Sequence, residues 1–364
     1  MPATDYHSSF LGRISIRRNQ IISMDGNNDQ DLEIFSKYVS ERFAELLSPP
    51  DDAVPSDTLL SISWLRKLLD VFLCCEAEFK AILLMGGGGG DDPFQISKPP
   101  LDRLIPELLD RSVKALDLCN AVTDGLESIR HYQKLAEIAA SALGKKTHRV
   151  DDKEYSAVKT TERSWSFSRR TVNKDRSPSG EELVGGETDS GDDMQSRSAA
   201  RGGGFRFGFP CLYNELIMVF VMWALVAAIP CQERNGLVTT HFPVPKQSSW
   251  DQSINGLHEK IVEEWKKKEK KGAAGLLAEL QKMEKLVHNL MEFTDSFQFH
   301  GGPDEKAEEV AVHAAELAET CKRMEEGLLP LQMQIRQVFH SIVRSRNEFL
   351  HALDQCGKSS APLV

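Results

Sequence analysis

Strand signals are scarce in this 364-residue chain: aromatic residues make up 7%, and no run of Val, Ile and Thr alternates with polar residues. Cysteines with metal-ligand spacing are absent as well, since none of the seven belongs to a Cys-x-x-Cys motif. An odd number of cysteines also argues against the disulfide framework of a secreted domain. The sequence therefore predicts an all-α protein with free thiols, as in the reducing cytosol.

A surplus of positive charge is missing too. The 44 Lys and Arg residues stand against 54 Asp and Glu residues, which gives a net charge of -10. Nucleic acid is therefore not expected as a partner, because phosphate backbones reward a basic surplus. The first residues form no continuous apolar segment and do not begin Met-Gly, which argues against a signal peptide and myristoylation.

Catalytic motifs are also lacking. The run from Gly86 to Gly90 is not followed by the Gly-Lys-Ser/Thr of a phosphate-binding loop, and the chain has neither Gly-x-Ser-x-Gly nor His-Glu-x-x-His. Glu348-x-x-His351 places a carboxylate and an imidazole on one helical face, but di-iron bundles need two such motifs. We therefore expect a protein that is not an enzyme, with no cofactor, no metal and no small-molecule substrate.

Apolar residues at helical spacing predict a multi-helix bundle built from two regions, residues 29–143 and 250–356, with the second packing on the first. In the first region, Pro55-Ser56-Asp57 is a candidate cap for the second helix. A long third helix is expected from Leu101 to Leu143, with Pro106 in its first turns, where a proline is tolerated.

The last helix has the most regular pattern, a heptad rhythm that Pro330 is expected to kink but not to end. Such a seam is typical of coiled-coil-like packing, and a partner helix within the same chain is favoured over one from another molecule. It is also the candidate partner-binding surface. Its named residues are Leu328, Ile335, Val338, Ile342 and Phe349.

Two polar segments are predicted outside the bundle, and a third polar cluster lies on a helix of the second region. Residues 1–28 form a basic N-terminal arm, read as a flexible tail or, alternatively, as a surface for membrane or partner. Residues 144–204 are rich in Ser, Gly, Arg and Asp with nearly balanced charge, which predicts a disordered polyampholyte linker. Ser164, Ser166 and Ser168 in it are candidate phosphorylation sites. The basic cluster Lys266 to Lys271 is read as a solvated face or, alternatively, as a site for anionic lipid head groups.

The most hydrophobic stretch lies within residues 212–231 and is expected to form one short apolar helix. Fourteen uninterrupted apolar residues make about 21 Å of helix, against about 30 Å of hydrocarbon in a bilayer. A longer span would take in Asn214 and Glu215, and a charge deep in the bilayer costs about 2.5–3.5 kcal/mol. The candidate membrane or core residues are Leu216, Val219, Trp223, Val226 and Ile229.

Two alternatives stay open for this apolar helix: a single-pass transmembrane span, or a helix that is buried or dips into the membrane, which the residues favour. A span would place the two helical regions on opposite sides of the membrane. Each region would then have to bury its apolar faces alone.

Five blocks spread along residues 1–364 are distinctive: MPATDYHSSFLGRISIRRNQIISMD, LLDVFLCCEAEFKAIL, PELLDRSVKALDLCNAVTDGLESIRH, VMWALVAAIPCQ and RQVFHSIVRSRNEFLHALDQ. Through them the whole chain resembles the plant BYPASS-related family and, within it, the ROH branch. These blocks are distributed over nearly the whole chain, apart from the linker. The family tends to carry a basic helix of the RRAKRAL type after the third helix, and this chain departs from the family there, with GKKTHRVDDKEYSAVKTTERSWSFS.

The resemblance implies a non-enzymatic plant protein at the plasma membrane, single-pass or peripheral, with a cytosolic pool. It implies binding to the exocyst through the membrane-targeting, lipid-binding subunit of that complex, and so a role in polarised secretion and in cell-wall or mucilage deposition. The alternative it implies is a BYPASS-type role, in which a single-pass membrane protein regulates the production of a root-derived developmental signal.

Overall fold

The computed structural model describes residues 28–47, 59–85, 101–144, 205–231, 250–269, 275–300 and 304–359. Within these ranges every regular element is a helix, so the predicted all-α helical bundle is confirmed. The helices are α1 (Asn28–Leu47), α2 (Ile62–Met85), α3 (Leu101–Gly144), α4 (Phe205–Ala228), α5 (Asp251–Glu269), α6 (Ala278–His300) and α7 (Asp304–Ser359).

The two longest helices, α3 and α7, share the most extensive contact in the molecule. They run antiparallel, because Arg346 near the end of α7 donates to the Leu109 carbonyl, while Gln332 accepts from Arg130 at 2.9 Å. Both helices continue through an internal proline, Pro106 in α3 and Pro330 in α7. The two helical regions of the sequence are therefore joined along one long interface.

The main bundle consists of α2, α4, the first half of α3 and the second half of α7. Both α4 and α7 pack against α2 and α3, which puts α4 and α7 at opposite corners. An outer layer of α1 and α5 then covers α4. A smaller three-helix bundle continues from it, made by α6 with the remaining halves of α3 and α7, where Lys282 pairs with Glu316 at 2.9 Å.

A backbone junction joins the two bundles. The N–H groups of Leu276 and Leu277 donate to the Ala227 and Ala228 carbonyls at 3.0 Å each, which satisfies the open end of α4. The Glu279 carboxylate of α6 accepts the N–H of Ile62, the first residue of α2, at 3.0 Å. The ends of α2, α4 and α6 are therefore fixed to one another.

The cap of α2 lies later in the chain than Pro55-Ser56-Asp57. The helix begins at Ile62, and the Ser61 hydroxyl accepts the Trp64 N–H at 3.1 Å in the geometry of an N-cap. The preceding residue, Leu60, has a φ of 60° and is itself buried. Packing of Leu60 at the junction decides the start of the helix, and this is not visible as a local cap signal.

From Cys211 onward, helix α4 is surrounded by protein. Its Phe220 packs against Phe43 of α1, with ring centroids 5.7 Å apart, and Trp223 packs against His258 of α5 at 4.8 Å. By length and composition the window Cys211–Ala228 could cross a membrane, but 94% of it is buried within the bundle. Leu216, Val219, Trp223, Val226 and Ile229 are all core residues. In this structure the buried alternative for the apolar helix applies, and both helical regions share one bundle.

Several predicted segments lie outside the described ranges. These are residues 1–27 of the N-terminal arm, residues 145–204 of the linker with Ser164, Ser166 and Ser168, and residues 270–271 of the basic cluster. Of that cluster, Lys267 is exposed at the end of α5 and pairs with Glu263 and Glu264 at 2.9 and 3.1 Å. Part of the basic charge there is therefore already balanced on its own helix.

Candidate interaction surface

The predicted partner-binding seam of α7 lies inside the chain. Its residues are Leu328, Ile335, Val338, Ile342 and Phe349, and each is at most 2% exposed. Phe349, for example, packs against Phe79 of α2, with ring centroids 6.0 Å apart. A side chain this buried cannot touch another protein in this conformation. The assignment of partner binding to the seam is therefore corrected: these residues hold α7 against α2 and α3.

The side of α7 that points away from the seam is the surface left open. We call it the outer face of α7 and define it by Leu329, Met333, Arg336, His340 and Arg344, all exposed. Spacings of three and four residues place these side chains in one line along the helix. Whereas α1 and α5 cover α4 at the opposite corner, no helix of the described ranges packs over this line.

An apolar patch occupies one end of the outer face. Leu329 is 57% exposed and Met333 is 55% exposed, one helical turn apart on either side of Pro330 in the sequence. The other exposed large apolar residues of the described chain are separated from one another in sequence: Ile34, Val113, Ile138, Val312 and Leu350. Single exposed apolar residues are ordinary, whereas Leu329 and Met333 form an adjacent pair on one uncovered helix.

Basic side chains occupy the other end. Arg336, His340 and Arg344 follow at four-residue spacing, and His351 continues the same line. Among the described residues no ion pair involves Arg336 or Arg344. Neighbouring cations are engaged, since Lys80 pairs with Glu348 at 2.6 Å and Arg346 donates to the Leu109 carbonyl. The outer face therefore combines an apolar patch with positive charge that is available to an acidic ligand.

Polar contacts along the edge next to α2 hold the outer face in place. On the α2 side, Gln334 accepts from Arg66 at 3.0 Å and donates to Asp70 at 2.7 Å. Deeper on the same side, Ser341 and Ser345 both donate to the Glu76 carboxylate, the latter at 2.6 Å. These contacts fix the rotation of α7 about its axis and with it the residues that the outer face presents.

The buried acids all have structural partners. Loss of solvation by burial raises the pKa of Glu76, Glu215 and Glu279 above the ordinary carboxyl value. Glu76 accepts the two serine hydroxyls, Glu215 pairs with Arg111 at 2.7 Å, and Glu279 caps α2. Each of these carboxylates therefore joins two helices.

Four cysteines of the described chain are core residues, namely Cys75, Cys119, Cys211 and Cys321. Burial raises the pKa of the Cys119 and Cys321 thiols to about 12, so they stay protonated and weakly nucleophilic at neutral pH. In the described part of the chain no group of three or more His, Cys, Asp and Glu residues is placed to hold a metal ion. The Glu348 carboxylate is occupied by Lys80, and His351 contacts Gln355 at 3.4 Å.

The sequence pattern predicted α7 as the interaction helix but assigned the interaction to the side of α7 that faces the bundle. The heptad rhythm marks the residues that face the bundle, and Leu329 and Met333 fall outside that rhythm. Two apolar residues out of phase, one turn apart on an amphipathic helix, are the signal that could have revealed the outer face.

Comparison with known proteins gives a consistent family. The family model described as Protein ROH1-like matches residues 1–209 and 151–353. Protein ROH1A of Arabidopsis thaliana is 49% identical over 420 aligned positions that cover all of both chains, and Protein ROH1D of the same plant is 35% identical over 98% of this chain and 99% of its own. UPF0496 protein 4 of Oryza sativa subsp. japonica is 24% identical over 70% of this chain and 55% of its own. No solved structure matches the chain.

Proposed function

This chain belongs to the ROH1-like family, and we propose that it is a non-enzymatic adaptor that binds the membrane-targeting, lipid-binding subunit of the exocyst through the outer face of α7. In this role it modulates polarised secretion and, through it, cell-wall or mucilage deposition. The observation that carries the proposal is the uncovered line on α7, where Leu329 and Met333 adjoin the cations Arg336 and Arg344.

Two features of the outer face support an adaptor role. Apolar side chains that remain exposed on a rigid helix supply the desolvated centre of an interface, and arginines beside them supply orientation and a faster association rate. The polar contacts at Gln334 and Glu76 fix the helix before any partner binds. A surface that is already ordered loses little entropy on binding.

Peripheral attachment to the plasma membrane, with a cytosolic pool, is the membrane mode we propose. Its support is the position of α4: a bilayer span would remove this helix from the core that α1, α2, α3 and α5 form around it. The residues of α4 would exchange protein contacts for lipid, but the four surrounding helices would expose apolar faces to water. Attachment through the partner requires no such rearrangement.

The test is a pull-down of the exocyst subunit with surface variants of the full chain. In the double variant Leu329→Asp and Met333→Asp we expect at least a tenfold loss of captured subunit, because two charges replace the apolar patch. Both positions are exposed, so the free energy of unfolding should change by less than about 1 kcal/mol. The matched control is Val312→Asp, which is 62% exposed on the same helix but lies about 25 Å along the axis from Leu329, and it should bind as the unmodified chain does. Full capture by the double variant would refute the proposal.

A single-pass protein with the BYPASS-type role in a root-derived signal is the second candidate, favoured by the length and apolar composition of Cys211–Ala228. Carbonate extraction of membranes separates the two candidates. A peripheral adaptor is released into the supernatant, whereas a spanning protein stays in the pellet. In sealed vesicles, only a spanning protein would have one terminal half shielded from added protease.

A further inference from the structure

The outer face of α7 meets its charge complement within the same chain. Residues 181–193, EELVGGETDSGDD, carry six carboxylates and no Lys or Arg. Leu183 and Val184 lie among those acids, so the segment combines an apolar pair with negative charge. The outer face presents the opposite arrangement, an apolar pair followed by Arg336 and Arg344.

We propose that residues 181–193 bind the outer face of α7 in the free protein, with carboxylates at Arg336 and Arg344 and the Leu183–Val184 pair on Leu329 and Met333. The segment thereby covers the surface that a partner uses. The claim that this contact regulates partner binding rests on the proposed function. The contact itself requires only the two complementary surfaces and can be tested without any partner.

The chain length allows this contact without strain. Glu215 pairs with Arg111 and Arg346 bonds to Leu109, so residue 215 of α4 and residue 346 of α7 lie at the same level of the bundle. Helix α4 begins ten residues before Glu215, which places its start about 18 Å along the axis from Arg344 and about 30 Å from Arg336. The eleven residues between Asp193 and Phe205 reach up to about 40 Å, which also spans the roughly 14 Å between opposite corners of a bundle with interaxial distances of about 10 Å.

The other connection is longer still. Gly144 ends α3 at the far end of the smaller bundle, and 36 residues separate it from Glu181. These residues reach over 100 Å, about twice the roughly 50 Å of helix between Gly144 and the level of Arg111. Both connections are therefore long enough for the segment to contact α7.

Tethering at this length gives the segment an effective concentration on the order of millimolar. Weak, salt-sensitive ion pairs suffice at that concentration.

The experiment is carbodiimide coupling, which joins a lysine amine to a carboxylate in direct contact. The variants Arg336→Lys and Arg344→Lys keep the positive charge and introduce the amine on the outer face; Val312→Lys introduces it on α7 outside the outer face. Coupled peptides are identified by mass spectrometry of the full chain, from a mixture of heavy- and light-isotope protein that separates couplings within one chain from couplings between two copies.

We expect position 344 to couple to residues 181–193 within one chain, with at least a fivefold lower yield from position 312. The product should disappear at 0.5 M salt, and in a chain with all six acids of the segment changed to their amides.

Three other coupling results would overturn the proposal: coupling only to Asp91 and Asp92, only to carboxylates of the helices, or only between copies. Equal binding of the parent chain and the six-amide chain to phosphatidylserine vesicles, without any coupling, would assign the face to a membrane instead. None of these results depends on the exocyst subunit, so a failed pull-down with successful coupling would refute only the proposed function.

Discussion

Glu215 of α4 and Arg111 of α3 form an ion pair of 2.7 Å at the point where the apolar helix enters the bundle. Glu215 is the one charged residue in the window Cys211–Ala228 and is almost fully buried, whereas the Arg111 side chain is 39% exposed. The second carboxylate oxygen of Glu215 is buried without a hydrogen-bond donor. The arginine therefore compensates a charge that the core itself does not solvate.

Removing the arginine should destabilise the fold. For Arg111→Met we expect a loss of about 1–3 kcal/mol in the free energy of unfolding, below the range of about 3–5 kcal/mol for fully buried pairs because Arg111 is partly in water. Urea denaturation measures it. The double variant Arg111→Met and Glu215→Leu should recover most of the loss, since no buried charge remains. A double variant that is less stable than Arg111→Met alone would contradict the assignment.

Glu215 should also make stability depend on pH in the direction opposite to that of an ordinary surface carboxylate. Burial raises its pKa in the folded state, so the folded protein binds the proton more tightly than the unfolded chain. The stabilisation is then complete below the unfolded pKa of about 4.3 and is lost as pH rises through the higher folded value. Relative to Glu215→Gln, the parent chain should gain stability as pH falls from 7 to 4.5. A difference that is constant with pH would refute this.

The sequence was sufficient to predict most of the helices. The third helix was expected from Leu101 to Leu143 and is observed as Leu101–Gly144, and α7 continues through Pro330 as its periodicity indicates. In both cases the apolar spacing extends over many turns, so local pattern and final packing agree.

The environment of α4 could not be predicted from its own residues. An apolar helix that crosses a bilayer and one at the centre of a bundle have the same composition, and the difference lies in what surrounds them. Here Phe43 of α1 and His258 of α5 cover Phe220 and Trp223, and these contacts join residues far apart in the chain. The outer face of α7 was not predicted for a related reason. Leu329 is exposed because no helix of the described chain packs against that side of α7, and the sequence of α7 itself does not show this.

The close contact between α3 and the end of α4 requires glycine at position 125. A Cβ added to Gly125 would lie 2.5 Å from the Pro230 carbonyl oxygen and 2.7 Å from Ile229, and a backbone oxygen cannot move aside without shifting α4. Gly125→Ala should therefore destabilise the protein by about 1–3 kcal/mol despite the better helix propensity of alanine.

Gly256 of α5 is the matched control, because a Cβ there meets only the flexible end of the Leu47 side chain, at 3.3 Å. In Gly256→Ala the gain in helix propensity, up to about 1 kcal/mol, should offset that contact. Thermal unfolding of the two variants should move in different directions, with Gly125→Ala lower and Gly256→Ala equal or higher than the parent. Equal melting temperatures for both variants would show that α3 and α4 do not approach as described.

Glu76 should be the most sensitive polar position in the contact of α2 with α7. Its carboxylate is 3% exposed and accepts hydrogen bonds from Ser341 and Ser345, so the two serines solvate a buried acid that Lys80 reaches only at longer range. In the variant Ser341→Ala and Ser345→Ala this acid loses both donors, and we expect a loss of about 2–4 kcal/mol by urea denaturation. Adding Glu76→Leu should restore much of the lost stability, because an apolar group needs no donor.

The control for the serine variant is Ser128→Ala, at an exposed hydroxyl of α3, which should change stability by less than about 0.5 kcal/mol. An equally small effect of the double serine variant would show that the Glu76 carboxylate is not stabilised by the serines of α7. Other contacts would then have to fix the rotation of α7 that exposes Leu329 and Arg344.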